Sequence, residues 1–359
     1  MLKLIELAGT PYEMGRQHGQ QLKDQVRSLS QKRLRLALLR AKTAGATVSE
    51  ERCRKLAHEH LSCHEQYFPE AVQEWQGIAD GAEISLEEVF FANALTDFQD
   101  VLWRIGREEV HGCTVFAVGH TETENEAAYI GQTWDMHASA EMFITVFHRR
   151  PNDGPESITL STAGCLTLVG INSAGIAVGN NNLRPIDARP GAIYLALLHR
   201  ALAQTDLDAA VQSITEAHRA SGHNYILADE HGNRVNVEAT ATQFEVDRLS
   251  EPRYVHTNHY LSERLRPLED PDMDRASTDY RLERLRQRFR SDSNGHLTPD
   301  RLQQLLADHD GGNELCICRH GTDEDARSCA FVVSDPKHRC LYAMLGPPCQ
   351  GQMQEFSLS

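Results

Sequence analysis

The chain changes texture at one point, His111–Gly112–Cys113, and that change limits what it can fold into. Before it, residues 11 to about 108 read as helical. The stretch from Pro11 to Arg40 is long, charged and periodic, with Leu22, Val26, Leu29 and Arg33 spaced to share one helix face. FPEAVQEWQGIADG and SLEEVFFANALTDFQDVLW continue in that style, and Ser85 followed by Glu88 has the spacing of a capping box. After the change, short β-rich runs dominate to about residue 180: CTVFAVG, AYIGQTWD, MFITVFHRR, SITLST, CLTLVGI and GIAVGN, separated by turn signals such as PNDGP and INSAG. Two helices follow, over AIYLALLHRALAQ and DLDAAVQSITEAHRA, and strands return in HNYILAD, RVNVEAT, QFEVDRL and RYVHTN. Two more helices fit around Thr278–Arg290 and after Thr298–Pro299, where Thr caps and Pro takes the first turn. The chain ends as β, with CAFVVSD and RCLYAML around the turn DPKH. A helical lead segment, then strands bracketing central helices, fits stacked sheets covered by helices.

The length of 359 residues suits one large domain or two ordinary ones, and an apolar share of 40% can fill a sizeable core. Lys plus Arg is 36 against 51 Asp plus Glu, a net charge of −15. That balance argues against nucleic acid or an anionic membrane as partner, since both need a basic footprint. The first residues lack a basic flank followed by a long apolar run, so no secretory signal is expected. No run approaches the ~18 apolar residues of a membrane span, and the expected location is the cytoplasm. Nine scattered cysteines, an odd number with no CxxC pair, do not suggest a disulfide framework; most read as small buried filler.

Cys113 stands apart by place, at the head of a strand and after Gly112. If CTVFAVG and AYIGQTWD form a hairpin centred near Glu124, paired residue numbers sum to about 248. Cys113 then faces Asp135 and Val115 faces Thr133; a slip of one residue undoes the pairing. A thiol is only partly ionised near neutral pH and needs a base. Were Cys113 chain-terminal, its own α-amino group, with a pKa of about 8, would serve, and Asp135 would orient it. Gly112 fits self-cleavage, because it adds no bulk and tolerates strained angles. The thiol attacks the Gly112 carbonyl, and water hydrolyses the resulting thioester, with Thr114 assisting through its hydroxyl. The same three residues also read as a buried strand Cys, a strand-end Asp and a Thr chosen for β-propensity. Asn258, at the end of RYVHTN, is a suitable donor to an oxyanion, or else an ordinary turn residue. His256 and His259 form an HxxH that reads as a base or as metal ligands, but the motif alone is weak and no metal is expected. Asn181 and Asn182, with His223 and Asn224, are candidate substrate or oxyanion contacts that also fit a loop and a polar strand start. Arg319–His320, after Cys316 and Cys318, reads as structural.

Taken in order, HGCTVFAV, GQTWDM, SAGIAVGNNNLRP, SGHNYILAD, VHTNH, LCICRH and GPPC resemble the autoproteolytic acyltransferases related to isopenicillin-N acyltransferase (acyl-coenzyme A:6-aminopenicillanic acid acyltransferase). PYEMGRQHG and EWQGIADGAEISLEEVFFAN resemble that family's pro-segment, so the likeness covers nearly the whole chain. The resemblance implies an α+β fold, the four-layer αββα sandwich of the N-terminal nucleophile hydrolases. It implies a zymogen that cuts itself into a helical α chain, residues 1–112, and a β chain, residues 113–359, which stay associated as one compact unit. Residue by residue, Cys113 matches the nucleophile, Asp135 the residue that positions its amine, Asn258 the oxyanion-hole Asn, and Thr114 a residue linked to processing. The implied reaction is hydrolysis or acyl transfer at a non-peptide amide or acyl thioester, through an acyl-enzyme on Cys113. The implied partner is a small acylated amine or acyl thioester, acyl-coenzyme A among them, with no metal or organic cofactor. Two rival readings are an uncut Cys–His hydrolase using His256 or His259, and a non-catalytic relative that binds amides. A higher oligomer is left open.

Overall fold

A strand precedes the helices. In the computed structural model, which describes residues 1–43, 45, 48–102, 112–292, 296–322 and 325–358, β1 spans Leu4–Gly9. After it come α1 (Pro11–Gln21), α2 (Lys23–Thr43), α3 (Glu50–Tyr67), α4 (Pro69–Ala82), α5 (Leu86–Asn93) and α6 (Leu95–Leu102). The last residues of the expected helical segment, 103–108, and His111 lie outside the described residues. Local chemistry starts these helices. Thr10 and Glu13 close a capping box on α1 with Pro11 in its first turn, and Ser85 and Glu88 do the same for α5. Val26, Leu29 and Arg33 share one buried face of α2, as their spacing implies, and Leu22, which caps α1 just before it, is buried too. The glycines of PYEMGRQHG and EWQGIADG have a packing reason. A β-carbon on Gly15 would lie 2.0 Å from the Glu74 carbonyl oxygen, and one on Gly77 2.1 Å from that of Tyr12. Helices α1 and α4 therefore touch backbone to backbone, which only glycine permits.

Past the texture change the order is β2 (Gly112–Val118), β3 (Tyr129–His137), β4 (Ile144–Pro151), β5 (Ser157–Thr162), β6 (Val169–Asn172) and β7 (Ile176–Leu183), then α7 (Tyr194–Leu202) and α8 (Leu207–Thr215). It continues through β8 (Gly222–Asp229), β9 (Arg234–Ala239), β10 (Phe244–Arg248), β11 (Arg253–His256), α9 (Ala276–Ser291), α10 (Pro299–Leu306) and α11 (Gly312–Leu315), and closes on β12 (Ala326–Asp335), β13 (Cys340–Leu345) and β14 (Gln354–Ser357). Thr298 caps α10, as expected. The strand expected over CLTLVGI forms only from Val169. The edge strands β1 and β14 were not expected.

An eight-stranded sheet runs β1-β4-β5-β6-β7-β8-β9-β10, and a six-stranded sheet runs β11-β2-β3-β12-β13-β14. Among the described strands, only β1 and β4 pair in parallel. The two sheets stack, with β2 against β7. The period of two sorts β2 by face: Val115 and Ala117 join the apolar core between the sheets and under the N-terminal helices, while Phe116 and Val118 pack with Leu285 and Phe289 of α9. Helices α1, α7 and α8 lie on the eight-stranded sheet, and α9 lies on the other. This is the expected four-layer αββα order. Among the described residues, no helix is long and apolar enough to cross a membrane.

The β2–β3 pairing differs from the expected register by one residue. Gly112 pairs with Asp135, Cys113 with Trp134 and Thr114 with Thr133. The connection is not a symmetric turn about Glu124: it holds a 3₁₀ turn at His120–Glu122, and Leu297 bonds into it from both sides.

Candidate active site

Four adjacent strands deliver side chains to one end of the six-stranded sheet. β11 runs antiparallel beside β2, with His256 opposite Val115, so the chain leaving β11 carries Asn258 to Cys113. On the other side β3 places Asp135 opposite Gly112. Beyond it β12 places Ser328 opposite Asp135, with a bulge between Ser328 and Ala330; such bulges re-aim side chains. β7 of the facing sheet contributes Asn181, and α9 contributes Arg281 from the outer side.

These groups hold the peptide atoms of Cys113. Its N–H donates to Asn258 Oδ1 at 2.9 Å. Its carbonyl accepts from Asn181 Nδ2 at 3.0 Å and from Arg281 Nη1 at 2.7 Å. The same Nη1 donates to Thr114 Oγ1 at 3.0 Å, and Arg281 Nη2 donates to Asn258 Oδ1 at 2.8 Å. Asn224 Nδ2 supports Asn181 Oδ1 at 3.1 Å. Asn258 Nδ2 donates one hydrogen to the Asn182 carbonyl at 3.0 Å, and Thr278 Oγ1 accepts the Asn258 N–H at 2.7 Å. Ser328 Oγ donates to Asp135 Oδ1 at 2.8 Å and accepts the Arg319 N–H at 3.1 Å. Arg319 Nε stands 3.9 Å from Asp135 Oδ2, which takes no hydrogen bond among the described residues. Gly112 sits between two guanidinium groups: a β-carbon there would be 3.1 Å from Arg281 Nη2 and 3.1 Å from Arg319 Nη1.

Burial pushes the Cys113 thiol up to about 12, and the Asp135 charge adds to this; the Asp135 main-chain N–H, Arg281 and Arg319 pull the other way. Burial also raises the Asp135 carboxyl, against Arg319, Arg281 and hydrogen bonds from Ser328 and Thr133. In the continuous chain, then, the thiol is protonated at neutral pH.

Of the residues singled out in the sequence, Cys113, Thr114, Asp135, Asn181, Asn224 and Asn258 come together here, and Asn182 joins through its carbonyl. In the continuous chain Asn258 and Asp135 both touch Cys113. Asn258 Oδ1 takes the Cys113 nitrogen, whereas Asp135 touches the thiol through its main chain. His223 lies apart, stacked on Tyr194 at 4.2 Å between ring centroids and held neutral by burial, its pKa down at about 3. The histidines of the Cys–His reading are engaged elsewhere. His256 Nε2 meets Glu238 Oε1 at 2.7 Å and its Nδ1 the Thr257 carbonyl at 2.6 Å. His259 Nδ1 meets Thr278 Oγ1 at 2.9 Å and its Nε2 Asp279 at 3.4 Å. Among the described residues, neither ring bonds to Cys113. Sequence reasoning missed Arg281, Ser328 and Thr133, and took Arg319 as structural. One signal was available: Arg281 falls in the buried stripe Thr278, Leu282, Leu285, Phe289 of α9, where a charge needs a buried partner.

Comparison with known proteins shows the family of the chain. Residues 121–350 match the model of the family described as acyl-coenzyme A:6-aminopenicillanic acid acyl-transferase. The chain is 30% identical, over 362 aligned positions, to the 40 kDa form of acyl-coenzyme A:6-aminopenicillanic-acid-acyltransferase of Emericella nidulans, covering 96% of this chain and 92% of that protein. Among solved structures, a mutant of the conjugated bile acid hydrolase from Clostridium perfringens is similar with a TM-score of 0.47 at 10% identity, over 68% of this chain and 92% of that one. Penicillin V acylase from Agrobacterium tumefaciens is similar with a TM-score of 0.45 at 15% identity, over 65% and 83%. On the family match and the full-length identity together, this chain belongs to the acyl-coenzyme A:6-aminopenicillanic acid acyl-transferase family.

Proposed function

We propose that the protein is a self-processing cysteine amidohydrolase or acyltransferase whose nucleophile is Cys113. Family membership makes it an enzyme of the acyl-transfer or amide-hydrolysis type. One observation carries the finer reading: the peptide group of Cys113 is held atom by atom, N–H by Asn258 and carbonyl by Asn181 and Arg281, while two guanidiniums stand against Gly112. A buried strand cysteine kept for packing has no use for such a cage.

The first stage is self-cleavage. Cys113 Sγ attacks the Gly112 carbonyl carbon, and the developing oxyanion lies beside Arg281 and Arg319. The C–N bond breaks, the thiol proton passes to the departing Cys113 nitrogen, and a thioester remains. Water hydrolyses it, releasing residues 1–112 with a carboxylate at Gly112. Thr114, tied to Arg281, fixes the strand during the attack. Before this step the thiol has neither charge nor base. After it, Cys113 carries an α-amine with a pKa near 8, within reach of its own sulfur, and Asn258 Oδ1 and Asp135 hold that amine.

In the second stage the deprotonated thiol attacks an amide or acyl thioester. The acyl group bonds to Sγ, and the leaving amine or thiol takes the proton. Water or an acceptor amine then releases the acyl group. Asn258 Nδ2 has a second hydrogen to offer the oxyanion, and Asn181, supported by Asn224, is close by on the Cys113 carbonyl. The substrate class is a small acylated amine or acyl thioester, acyl-coenzyme A included. The pieces 1–112 and 113–359 stay together because residues from α1 to α6 and from both sheets share one apolar core.

Intact mass of the purified protein tests this directly. Two pieces are expected, the larger beginning Cys-Thr-Val-Phe, and Cys113→Ala should give one uncut chain without activity. An active wild type that remains one chain would sink the self-cleavage; a fully active Cys113→Ala would sink the nucleophile.

A further inference from the structure

Outside the Cys113 site, four more side chains converge with the composition of a metal centre. His309, Cys318, His320 and Cys349 each offer one ligand atom, and all four atoms lie within 4.8 Å of one another. His309 Nε2 is 3.1 Å from His320 Nε2. Cys349 Sγ is 3.2 Å and Cys318 Sγ 3.7 Å from that same nitrogen. A tetrahedral zinc ion, with Zn–N of about 2.0 Å and Zn–S of about 2.3 Å, sets edges of roughly 3.3 Å between nitrogens and roughly 3.5 Å between nitrogen and sulfur. The three separations from His320 Nε2 scatter around those edges.

The ligands come from three turns, and each turn is pinned. His309 follows α10 and adjoins Asp308, which Arg284 holds at 3.0 and 2.9 Å and Arg288 at 2.6 Å. Cys318 and His320 lie between α11 and β12; the Cys318 N–H donates to the Asp308 carbonyl at 3.0 Å and the His320 N–H to Asn313 Oδ1 at 3.1 Å. Cys349 sits in the turn after β13, where Gln303 of α10 donates to the carbonyls of Pro348 at 2.8 Å and Gly351 at 3.1 Å. Two thiolates and two imidazoles are a soft ligand set that suits zinc.

We propose that His309, Cys318, His320 and Cys349 bind one structural zinc ion, which staples the Cys316–His320 segment to the end of α10 and to the turn at Cys349. All four positions are filled by protein, the mark of a structural rather than a catalytic site. Binding releases the two thiol protons and leaves a neutral centre. Arg319 lies between two of the ligands, so the metal steadies the segment whose side chain reaches Asp135 and Gly112. This changes the expectation of a metal-free chain, which considered only His256 and His259.

Elemental analysis of the full-length protein, purified without chelator or added metal, tests it. One zinc per chain is expected, and Cys349→Ser should lower that content by ~10-fold or more; Cys349 is exposed, so this variant should fold. Replacing the zinc by cobalt should give the visible absorption of a tetrahedral site with a thiolate charge-transfer band, a wild-type measurement that needs no variant. A metal-free chain would overturn the proposal, whether it has free thiols or is lighter by the two hydrogens of a Cys318–Cys349 disulfide. So would zinc retained in Cys349→Ser. The uncut Cys113→Ala chain should carry the same zinc, so this proposal and the self-cleavage fail separately.

Discussion

Cys113 and the pair Cys318–Cys349 are both near Arg319, and the same side chain has different surroundings in the two places. Around Cys113 the neighbours are amides, hydroxyls, one carboxylate and two guanidiniums; burial drives the thiol to about 12. Around Cys349 the neighbours are imidazoles and a second thiol. The first set offers hydrogen bonds to peptide atoms and, in the proposed self-cleavage, positive charge to a forming oxyanion. The second offers lone pairs to a soft cation. The difference teaches that a cysteine's chemistry is set by what shares its first few ångströms, and that nine thiols in one chain need not share a role. Arg319 joins the two regions, by sequence to Cys318 and His320 and by a non-covalent contact of 3.9 Å to Asp135, so disturbance of one should reach the other only weakly.

The sharpest way to break this comparison is to exchange the thiols one at a time. Cys113→Ala should lose self-cleavage and turnover, on the order of 10⁴-fold or more, and keep its zinc; loss of zinc as well would mean that the regions are not separate. Next in size, Arg281→Ala removes the donor shared by the Cys113 carbonyl, Thr114 and Asn258. Self-cleavage should slow on the order of 10²-fold, followed by mass spectrometry over time. Arg281→Lys should not restore it, because an ammonium cannot serve three acceptors in a fixed fork. A smaller effect comes from pH. The folded thiol is raised to about 12, so its thiolate share climbs about tenfold per unit across the neutral range. Self-cleavage of the slowed Arg281→Ala chain should accelerate accordingly from pH 7 to 8; a flat profile would mean that the proton moves within the attack itself. Smallest, removal of the zinc should lower Tm by roughly 5–10 °C and slow self-cleavage only a few-fold. A chelator effect as large as that of Arg281→Ala would make the metal part of the chemistry.

Much of this was legible beforehand, and the gaps have physical causes. The 3.6-residue stripe of α2, the capping boxes at Thr10 and Ser85, and the alternation along β2 are local signals, and each marked its element. β1 and β14 were missed because each is a short edge strand whose partner lies elsewhere: Leu4 pairs with Val146 and Ser357 with Cys340. The hairpin register was off by one because Leu297 enters the connection from far downstream. Cys113, Asp135 and Asn258 could be picked out as residue types at strand ends. Arg281 shares the stripe of Thr278, Leu282, Leu285 and Phe289 on α9, a signal of burial, but the stripe does not name its partners until the helix is docked.

The sequence by itself determined where helix gives way to sheet, which faces seek a core, and that a cysteine heads the first strand after the change. Those properties depend on neighbours one to four residues apart. Tertiary structure decided everything that crosses the chain: that β11 flanks β2 and so brings Asn258 to the Cys113 nitrogen, that Arg281 reaches it from α9, and that three distant turns gather two histidines and two cysteines. Pairing and docking are chosen by the packing of whole layers, in which no single segment specifies its partner.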